Sequence, residues 1–563
     1  MNKTLVPCSS WRRFTLIALL NLSLFSASVF GWQGQSLAPA GNAALLTAAE
    51  QEAVASVQAE TIREAVVALS APAMEGRGTG QPGGDRAAQY LADRFSKLNL
   101  KPLGDKNSYL QNIKFRETLV TPESTLKAGE ETLVLGRDYV VTPPFSGDEN
   151  LSGKMVFVAY GLTSKSPKRD DLAGVNVAGK IVVLLDGPPK GVRKEDWKKA
   201  KAGQQIMTRL FVGGAAAVMI AGTGDELHPY AETADYLVRR QVELASEGEF
   251  PAEAPPFVLL SDTGAEKLFA GSEMTYAQAR AKAEAGEFAS INLKQTAKIT
   301  VRLKKGKGTS SNVVGYLEGS DPKLKDEAVV YTAHYDAYGM GADGRIYPGA
   351  ADNALGVGEL IAVAEAFTKS PARPKRSIIF LLVTGEEYGL YGAEHWVKNP
   401  TWKIERVAAN LNLDGIGTEV YGPVKRVVGF GLEHSDLGAT LTDVVAATGN
   451  RIAPDPMPEE KSFYRSDHYA FVKKGVPALM LMGAPDGETG AWVARARKWL
   501  KTDYHQPTDT VRPDWSWEGA RTIAVVTFLT GLRVANADAL PAWLPSSPFN
   551  RKRGTNEPPP QEP

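Results

Sequence analysis

Five short motifs that carry histidine and acidic residues lie between residues 334 and 505, and they follow apolar runs or open a helix. Neutral imidazole and carboxylate are ligands that zinc accepts, and a pair of divalent ions needs several of them, with one position left open for water. The pattern therefore predicts a hydrolase site for two metal ions. The motifs are TAHYDAYG with His334 and Asp336, GAADNALG with Asp352, VTGEEYGLYG with Glu386 and Glu387, NLDGIG with Asp414, and DYHQPTDT with His505 and Asp509.

The residues before these motifs predict an α/β fold. The runs EAVVYTA, SIIFLLVTG and VAANLNL lead to His334, Glu386 and Asp414, and each is typical of a short buried strand. From Asn353 onward, apolar positions recur with helical spacing, so Asp352 is expected to open a helix. Function in open α/β sheets collects beyond the carboxyl ends of the strands, where these side chains are expected to meet.

In this order the motifs resemble those of the zinc-dependent exopeptidase family of co-catalytic, di-zinc bacterial aminopeptidases, which also includes glutamate carboxypeptidases and glutaminyl cyclases. The resemblance covers about residues 55 to 540 if an inserted module is allowed. It implies a mixed-sheet, three-layer α/β domain of the aminopeptidase/phosphorylase-like type. It also implies a β-rich protease-associated domain inserted into that fold.

The resemblance assigns a role to each motif residue. It implies two Zn²⁺ ions per chain and a cis peptide bond after Asp352, the carboxylate that bridges both ions. Asp336 would orient the imidazole of His334 through its other ring nitrogen. The implied ligands of the first ion are His334, Asp352 and Asp414, and those of the second are Asp352, Glu387 and His505.

Glu386 is left free of metal and is expected to act as general base. Adjacent residues that leave a strand point in different directions, so Glu387 can bind metal while Glu386 reaches the activated water. Tyr464, in the stretch FYRSDHYAF, is the nearest candidate for a hydroxyl that stabilises the oxyanion. Ala351 and Leu355 depart from the residues that the family usually carries beside the bridging aspartate, which concerns the pocket and not the ligands.

Five segments are expected along the chain. Residues 1–31 would be a signal peptide, 50–129 the first part of the peptidase domain, 130–295 the protease-associated insertion, 296–545 the catalytic di-zinc domain and 546–563 a disordered tail. The insertion could restrict substrate access or act as a spacer. The catalytic domain is not followed by the extra helical domain that dimerises the carboxypeptidase branch, so a monomer is favoured.

The N-terminus predicts export to the periplasm or the extracellular space. Lys3, Arg12 and Arg13 precede the apolar segment FTLIALLNLSLFSASVF, which is short for a membrane span and is followed by small residues suited to cleavage. The only cysteine, Cys8, comes before that segment, so no disulfide, lipid anchor or stable membrane span is expected after cleavage.

Charge and composition restrict the partners. The 64 basic and 64 acidic residues cancel, which disfavours nucleic-acid binding, and peptides are the expected substrates. The sequence therefore predicts an exported zinc aminopeptidase that releases N-terminal residues. Glutaminyl cyclase and carboxypeptidase remain alternatives on the same fold, and an inactive, receptor-like binding protein is an alternative from another class.

Overall fold

The structure is a computed structural model in which two compact units are distinguished. The larger contains the described residues within 34–121, 239–250 and 303–563, and the smaller those within 122–238 and 251–302. The structure describes residues 45–142, 147–165, 168–224, 229–245, 257–287, 290–341, 343–371, 373–485, 487, 489–558 and 560.

The described residues form strands and helices with the following bounds. The strands are β1 (Lys101–Pro102), β2 (Leu110–Val120), β3 (Thr125–Ala128), β4 (Glu131–Leu133), β5 (Tyr139–Thr142), β6 (Glu149–Phe157), β7 (Thr163–Lys165), β8 (Lys168–Asp170), β9 (Ile181–Leu185), β10 (Ala217–Ala221), β11 (Gln241–Leu244), β12 (Phe257–Leu260), β13 (Ile291–Val301), β14 (Leu303–Leu317), β15 (Ala328–His334), β16 (Gly339–Met340), β17 (Ile346–Tyr347), β18 (Ser377–Val383), β19 (Val407–Leu413), β20 (Val424–Phe430), β21 (Arg451–Ala453) and β22 (Ala478–Pro485). The α-helices are α1 (Ala48–Val54), α2 (Ala59–Leu69), α3 (Pro82–Lys97), α4 (Lys194–Lys199), α5 (Ala202–Val212), α6 (Tyr230–Val238), α7 (Asp262–Phe269), α8 (Tyr276–Ala285), α9 (Leu355–Lys369), α10 (Tyr391–Lys398), α11 (Leu437–Ala447), α12 (His468–Lys473), α13 (Thr489–Thr502) and α14 (Glu518–Asn536).

The larger unit is built on a mixed sheet with the strand order β11-β2-β14-β18-β15-β19-β22-β20-β21, and β1 pairs with β14. Strands β18, β15, β19 and β22 run parallel to one another, and antiparallel pairs flank them. Every residue of β15, β18 and β19 is buried, which explains their continuous apolar runs. The three strands predicted from the sequence are thus confirmed, and their carboxyl ends lie at one edge.

Helices cover both faces of this sheet. Apolar residues of α2, α3, α9, α11 and α14 pack in one core, and those of α10 and α12 pack in another with Trp492 of α13. Two apolar layers around one sheet give the mixed three-layer α/β arrangement that the sequence predicted.

The helix expected from Asn353 begins two residues later than predicted. Residues Ala350–Ala354 form a short irregular turn, and α9 starts at Leu355. Asp352 (φ −116°, ψ 95°) and Asn353 (φ −132°, ψ 38°) have non-helical backbone angles, and the peptide bond between them is cis, as the family resemblance implied.

The smaller unit has its own sheet, with the strand order β4-β3-β13-β6-β9-β10-β12-β5. Strands β6, β9, β10 and β12 are parallel, and the outer pairs are antiparallel. Ile206 and Leu210 of α5 pack in a core with the apolar side chains of β6 and β9. The rings of Phe157 and Phe269, and of Phe269 and Tyr276, lie 5.3 and 5.7 Å apart in edge-to-face contact.

The smaller unit, within 122–238 and 251–302, extends beyond the single insertion expected at 130–295 at both ends and is interrupted once. The chain returns to the larger unit within 239–250, where β11 pairs with β2. A four-residue strand gives a weak signal in a sequence, which explains why this return was missed. The relation of the smaller unit to a protease-associated domain stays a prediction.

The prediction of a disordered tail is wrong for residues 546–558. Phe549 is 2% exposed and belongs to an apolar core of the larger unit. Arg553 donates hydrogen bonds to the backbone oxygens of Val407 and Ala408, at 3.0 and 3.1 Å. One buried aromatic ring and a few arginine contacts order a segment whose proline-rich composition indicated disorder.

The segment expected to be a signal peptide, residues 1–31, lies outside the described residues. None of the helices that the structure describes has both the length and the apolar character required to cross a bilayer.

Candidate metal centre

Two groups of possible metal ligands lie beside each other and share Asp352. Each group supplies three ligand atoms that lie within 4.8 Å of one another. In the first group, His334 Nε2 lies 3.3 Å from Asp352 Oδ1 and 3.4 Å from Asp414 Oδ1. In the second group, His505 Nε2 lies 3.2 Å from Asp352 Oδ2 and 3.0 Å from Glu387 Oε2. The carboxylate of Asp352 is thus shared by the two groups, with Oδ1 near His334 and Oδ2 near His505.

The large sheet brings these side chains together. His334 ends β15, Glu386 and Glu387 follow β18, and Asp414 directly follows β19. These strands are adjacent and parallel, so the three loops leave the sheet at the same edge. His505 comes from the loop after α13 and has a left-handed backbone (φ +59°), which is uncommon for a residue other than glycine.

Asp336 lies next to the imidazole of His334. The His334 Nδ1 atom is 3.2 Å from the backbone oxygen of Asp336 and 3.7 Å from its carboxylate. That carboxylate accepts hydrogen bonds from the Thr79 hydroxyl (3.0 Å) and the Glu386 N–H (3.2 Å). Asp336 therefore links the His334 loop to the loop that carries the predicted general base.

Asp509 fixes the backbone around Asp352. Its carboxylate accepts the N–H groups of Ala351 (2.9 Å) and Asp352 (3.0 Å). The Asn353 side chain donates to the backbone oxygen of Leu413, which precedes the ligand Asp414 in the chain. The shared carboxylate is thereby held by groups from two other loops.

The Asp414 carboxylate has a polar partner of its own. It accepts a hydrogen bond from the Ser466 hydroxyl, and Ser466 accepts one from Asn412 at 2.7 Å. Ser466 belongs to the Ser-Asp-His stretch, so this stretch orients a ligand of the first group.

Glu386 lies at the first group without belonging to either set of three ligands. Its Oε2 is 3.9 Å from His334 Nε2, and its side chain is 11% exposed. Burial raises the pKa of Glu386 well above the ordinary value, His334 opposes this shift, and Asp414 and Asp467 reinforce it. A carboxyl group with a raised pKa is suited to accept a proton and pass it on.

His505 is held from both sides of its ring. The Tyr338 hydroxyl lies 3.2 Å from His505 Nδ1, and the Tyr504 ring stacks on the imidazole with 3.5 Å between the centroids. Burial lowers the pKa of His505, but Glu387 and Asp352 outweigh this effect and raise it to about 9. Metal binding needs the neutral imidazole, so it would release a proton here.

Tyr464 lies in an aromatic cluster. Its ring contacts those of Phe463, Tyr469 and Phe549, with centroids 5.3, 5.3 and 6.4 Å apart. Tyr338 and Tyr504, by contrast, contact the candidate ligand His505 directly. A role for Tyr464 in stabilising an oxyanion stays a prediction.

Several residues of the site carried no assigned role in the sequence. Thr79 and Arg77 lie in the loop MEGRGTG before α3, Tyr338 lies inside the first motif and Ser466 precedes the Asp-His pair. Tyr338 and Ser466 stand in segments that the sequence had already indicated, so their position was the available signal, whereas Arg77 and Thr79 lie far from the five motifs in the chain. Arg239, which donates to the His505 backbone oxygen at 2.7 Å, had no such signal.

Comparison with known proteins identifies the family. Residues 312–529 match the model of peptidase family M28, and this segment contains all the candidate ligands and Glu386. This match covers the catalytic segment, which is less than half of the chain. The zinc-exopeptidase family predicted from the motifs is thereby confirmed.

Solved structures show the same fold over most of the chain. An aminopeptidase from Aneurinibacillus sp. strain AM-1 has a TM-score of 0.58 at 20% identity, covering 87% of this chain and 97% of that one. A zinc aminopeptidase from Bacillus subtilis has a TM-score of 0.51 at 18% identity, covering 84% and 94%. The predicted fold class is confirmed by both.

Curated relatives match shorter segments. A vacuolar membrane protease of Clavispora lusitaniae is 37% identical over 108 residues, which are 19% of this chain and 10% of that protein. A glutamate carboxypeptidase 2 homolog of Caenorhabditis elegans is 25% identical, with 48% of this chain and 38% of that protein covered. The chain thus spans well under half the length of these relatives.

The prediction of a periplasmic or extracellular location is contradicted by these relatives. Several of the curated proteins that match are named vacuolar membrane proteases, which places those proteins at an internal membrane. An apolar segment near the N-terminus indicates targeting to a membrane but does not specify the compartment, so it could not carry the prediction of export.

Proposed function

We propose that the protein is a metallo-exopeptidase, namely an aminopeptidase that removes N-terminal residues from peptides by means of two zinc ions and the general base Glu386. The observation that carries this proposal is the pair of three-ligand groups that share Asp352, with Glu386 beside the first group. The proposed ligands are His334, Asp352 and Asp414 for one ion, and Asp352, Glu387 and His505 for the other.

The composition of the site supports the binding of cations. Asp336, Asp352, Asp467 and Asp509 are at most 6% exposed. Burial, reinforced by Asp414, raises the pKa of Asp467 well above its ordinary value, and burial, reinforced by Asp352, raises the pKa of Asp509 to about 7. A bound cation would offset this concentration of negative charge. Imidazole nitrogen and carboxylate oxygen are ligands that zinc accepts, and three protein ligands leave a coordination position for water. The residues therefore fit two zinc ions.

The remaining chemistry falls to the side chains. When bound, the two zinc ions would supply an acidified water and positive charge for the developing oxyanion. Glu386 would accept a proton from the attacking water and transfer it to the leaving amine, while Asp336 and Tyr338 keep the two imidazoles in position. Peptide hydrolysis by this route requires no covalent intermediate with the chain.

A carboxypeptidase is the second candidate, because one curated relative is named a glutamate carboxypeptidase 2 homolog and matches 48% of this chain. Two solved structures that share the fold over most of the chain are named aminopeptidases, which supports the first candidate. A catalytically inactive binding protein is disfavoured, because such a protein has no need of two complete ligand groups.

Activity on chromogenic substrates distinguishes these candidates. We expect hydrolysis of aminoacyl p-nitroanilides with a free amino group and no hydrolysis of the matched N-acetylated compounds. Release of C-terminal residues from N-blocked peptides would favour a carboxypeptidase. If zinc-loaded protein hydrolyses neither the aminoacyl p-nitroanilides nor the N-blocked peptides, the proposal is contradicted.

The variant Glu386→Gln tests the role of the general base. We expect turnover to fall by about 10²–10⁴-fold while zinc content stays at the wild-type level, because this side chain transfers protons and does not coordinate. The matched variant Glu387→Gln is expected to lose zinc as well as activity. Elemental analysis of the purified proteins measures the difference, and loss of zinc from Glu386→Gln would refute the assignment.

A further inference from the structure

Arg239 reaches the second ligand group from a remote part of the sequence. It opens the segment that returns to the larger unit between the two parts of the smaller one, and β11 begins two residues later, at Gln241. In β11, Gln241 pairs with Thr118 and Leu244 with Phe115, so the strand is an edge of the large sheet. This pairing fixes the backbone next to Arg239.

The guanidinium of Arg239 lies over two aromatic rings that contact each other edge to face. Its central carbon is 4.5 Å from the ring centroid of Tyr338 and 4.3 Å from that of Tyr347. Both tyrosines line a small pocket at the second group, together with Asp352, Glu387 and His505. A flat guanidinium can stack on aromatic faces and still donate hydrogen bonds in its own plane, which an ammonium group cannot do.

The same guanidinium supports His505 directly and also through Tyr338. Its Nη2 donates to the His505 backbone oxygen at 2.7 Å. Its stacking partner Tyr338 places a hydroxyl 3.2 Å from His505 Nδ1, and the two rings meet edge to face at 4.7 Å. Arg239 thus contacts the main chain of His505 and also the residue that contacts its side chain.

The backbone of His505 makes this support necessary. Its φ of +59° lies in the left-handed region, which residues other than glycine adopt uncommonly and at some cost in free energy. Relaxation to the right-handed region would move the imidazole relative to Asp352 and Glu387, with which Nε2 is now in contact at 3.2 and 3.0 Å. The hydrogen bond from Arg239 holds the carbonyl group of this same residue.

We propose that Arg239 is a positioning residue for the second cation, and that the segment between the two parts of the smaller unit thereby sets the affinity of the second ligand group. This inference rests on the proposed two-cation function. It extends that function by making metal affinity depend on a residue that is neither a ligand nor part of any of the five motifs.

Zinc titration of the full-length apoprotein against a competing chelator tests the inference. We expect wild type to bind two cations. We expect Arg239→Ala to weaken the binding of only one of the two, by about 10–100-fold, which is the usual effect of removing a residue that orients a ligand. Arg239→Lys keeps the charge without the flat stacking surface, so an intermediate affinity is expected. Excess zinc should restore most of kcat in both variants.

Arg345→Ala is the matched control. This arginine also lies over the Tyr347 ring, at 5.9 Å, but its side chain is 57% exposed and is paired with Asp343. Loss of its charge near the same pocket should leave both zinc affinities at the wild-type values. The variant His505→Ala is a second reference, because it removes a ligand of the second group. Adding Arg239→Ala to this variant should not change its affinity for the cation that still binds.

The possible outcomes separate the inference from the proposed function. If wild type binds two cations and Arg239→Ala binds both with unchanged affinity, Arg239 has no positioning role. A wild type that binds a single cation overturns the two-cation function, and the inference with it. If Arg239→Ala does not fold by circular dichroism, the comparison of Arg239→Lys with wild type decides, and equal affinity for the second cation overturns the inference.

Discussion

The guanidinium of Arg77 links the loop after β15 to the loop that precedes Asp352. It is fully buried and donates to the backbone oxygens of Tyr335 (2.6 Å), Leu69 (2.8 Å) and Gly349 (2.8 Å), and also to that of Pro348. Burial lowers the pKa of Arg77 to about 10, and the nearby carboxylates oppose that shift. Arg77 therefore stays charged at neutral pH and offsets part of the negative charge of the site.

The variant Arg77→Met is expected to lower the free energy of unfolding by at least about 3 kcal/mol, because several buried backbone oxygens lose their donor at once. Denaturant unfolding of the metal-free protein measures this loss. Arg63→Met is the control, since the Arg63 side chain is 45% exposed and its ion pair with Glu60 lies at the surface. A cost for Arg77→Met as small as that of the control would contradict the expectation.

Residues of the site could be predicted from the sequence where a side chain that can bind metal or transfer a proton stands in a short motif after a strand or at the start of a helix. The five candidate ligands and Glu386 stand at strand ends or in short acidic motifs. Arg239 could not be found in this way, because it lies 266 positions from His505 and its role depends on how β11 pairs. The role of Tyr464, the nearest candidate for the oxyanion hydroxyl, stays a prediction, and the structure adds Tyr338 and Tyr504 as tyrosines in contact with the candidate ligand His505.

At the scale of elements, α14 packs against the large sheet so closely that it requires a glycine. A Cβ atom on Gly531 would lie 1.7 Å from the Tyr331 hydroxyl oxygen and 2.5 Å from its ring carbon Cζ. Tyr331 belongs to β15, which ends in the candidate ligand His334. The glycine thus determines how near the helix comes to the strand that positions this histidine.

Gly531→Ala is expected to destabilise the larger unit by about 1–3 kcal/mol, as overpacking of a core usually does. In a Tyr331→Phe background the cost should be smaller, because the nearest clashing atom is gone while the ring carbon remains. Gly490→Ala, at a helical glycine with no atom within 4 Å of the added Cβ, is the control and should be neutral or stabilising. Equal costs of Gly531→Ala in the two backgrounds would contradict this explanation.

In the smaller unit, Asp138 joins β4 and β5 to α7. Burial raises the pKa of its carboxyl group, but hydrogen bonds from Arg137, Lys267 and the Val134 N–H outweigh burial and hold the pKa well below the ordinary value of 3.8. Because the pKa is lower in the folded state, the ionised carboxylate stabilises this unit above the unfolded pKa. That contribution is lost as pH falls toward the folded pKa.

Asp138→Asn is therefore expected to lower the stability of the smaller unit at pH 7, and the difference from wild type should shrink as pH falls below about 4. Thermal unfolding measured between pH 3 and pH 7 tests both parts. Asp196→Asn, which removes an exposed ion pair with Arg193, should show almost no effect at either pH. A difference that is constant with pH would rule out ionisation as the cause.

At the scale of the whole molecule, the prediction from the sequence was reliable for the catalytic unit and less so elsewhere. Buried parallel strands produce apolar runs that a sequence shows directly, and β15, β18 and β19 were found in this way. The return of the chain within 239–250 and the packing of Phe549 depend on single contacts between distant residues, which no local pattern reveals.

Chelation is expected to destabilise one unit and not the other. Within the described residues, both candidate metal groups lie in the larger unit. A ligand at about 1,000 times its dissociation constant stabilises the state that binds it by about 4 kcal/mol. A chelator should therefore lower the unfolding temperature of the larger unit by several degrees and leave that of the smaller unit unchanged, as calorimetry can show. Asp352→Ala should be insensitive to the chelator, and a loss of stability in both units would contradict the assignment.

The return of the chain at 239–250 means that the smaller unit cannot be exchanged as a simple cassette. A unit inserted at a single position has two junctions with its host, whereas the two parts of this one have four, and the piece between them carries the arginine that contacts a candidate ligand. Recombination that replaced everything between β2 and β14 would remove β11 and Arg239 together with the insertion. A functional chimera would have to keep these few residues, so the two units are expected to have been inherited together.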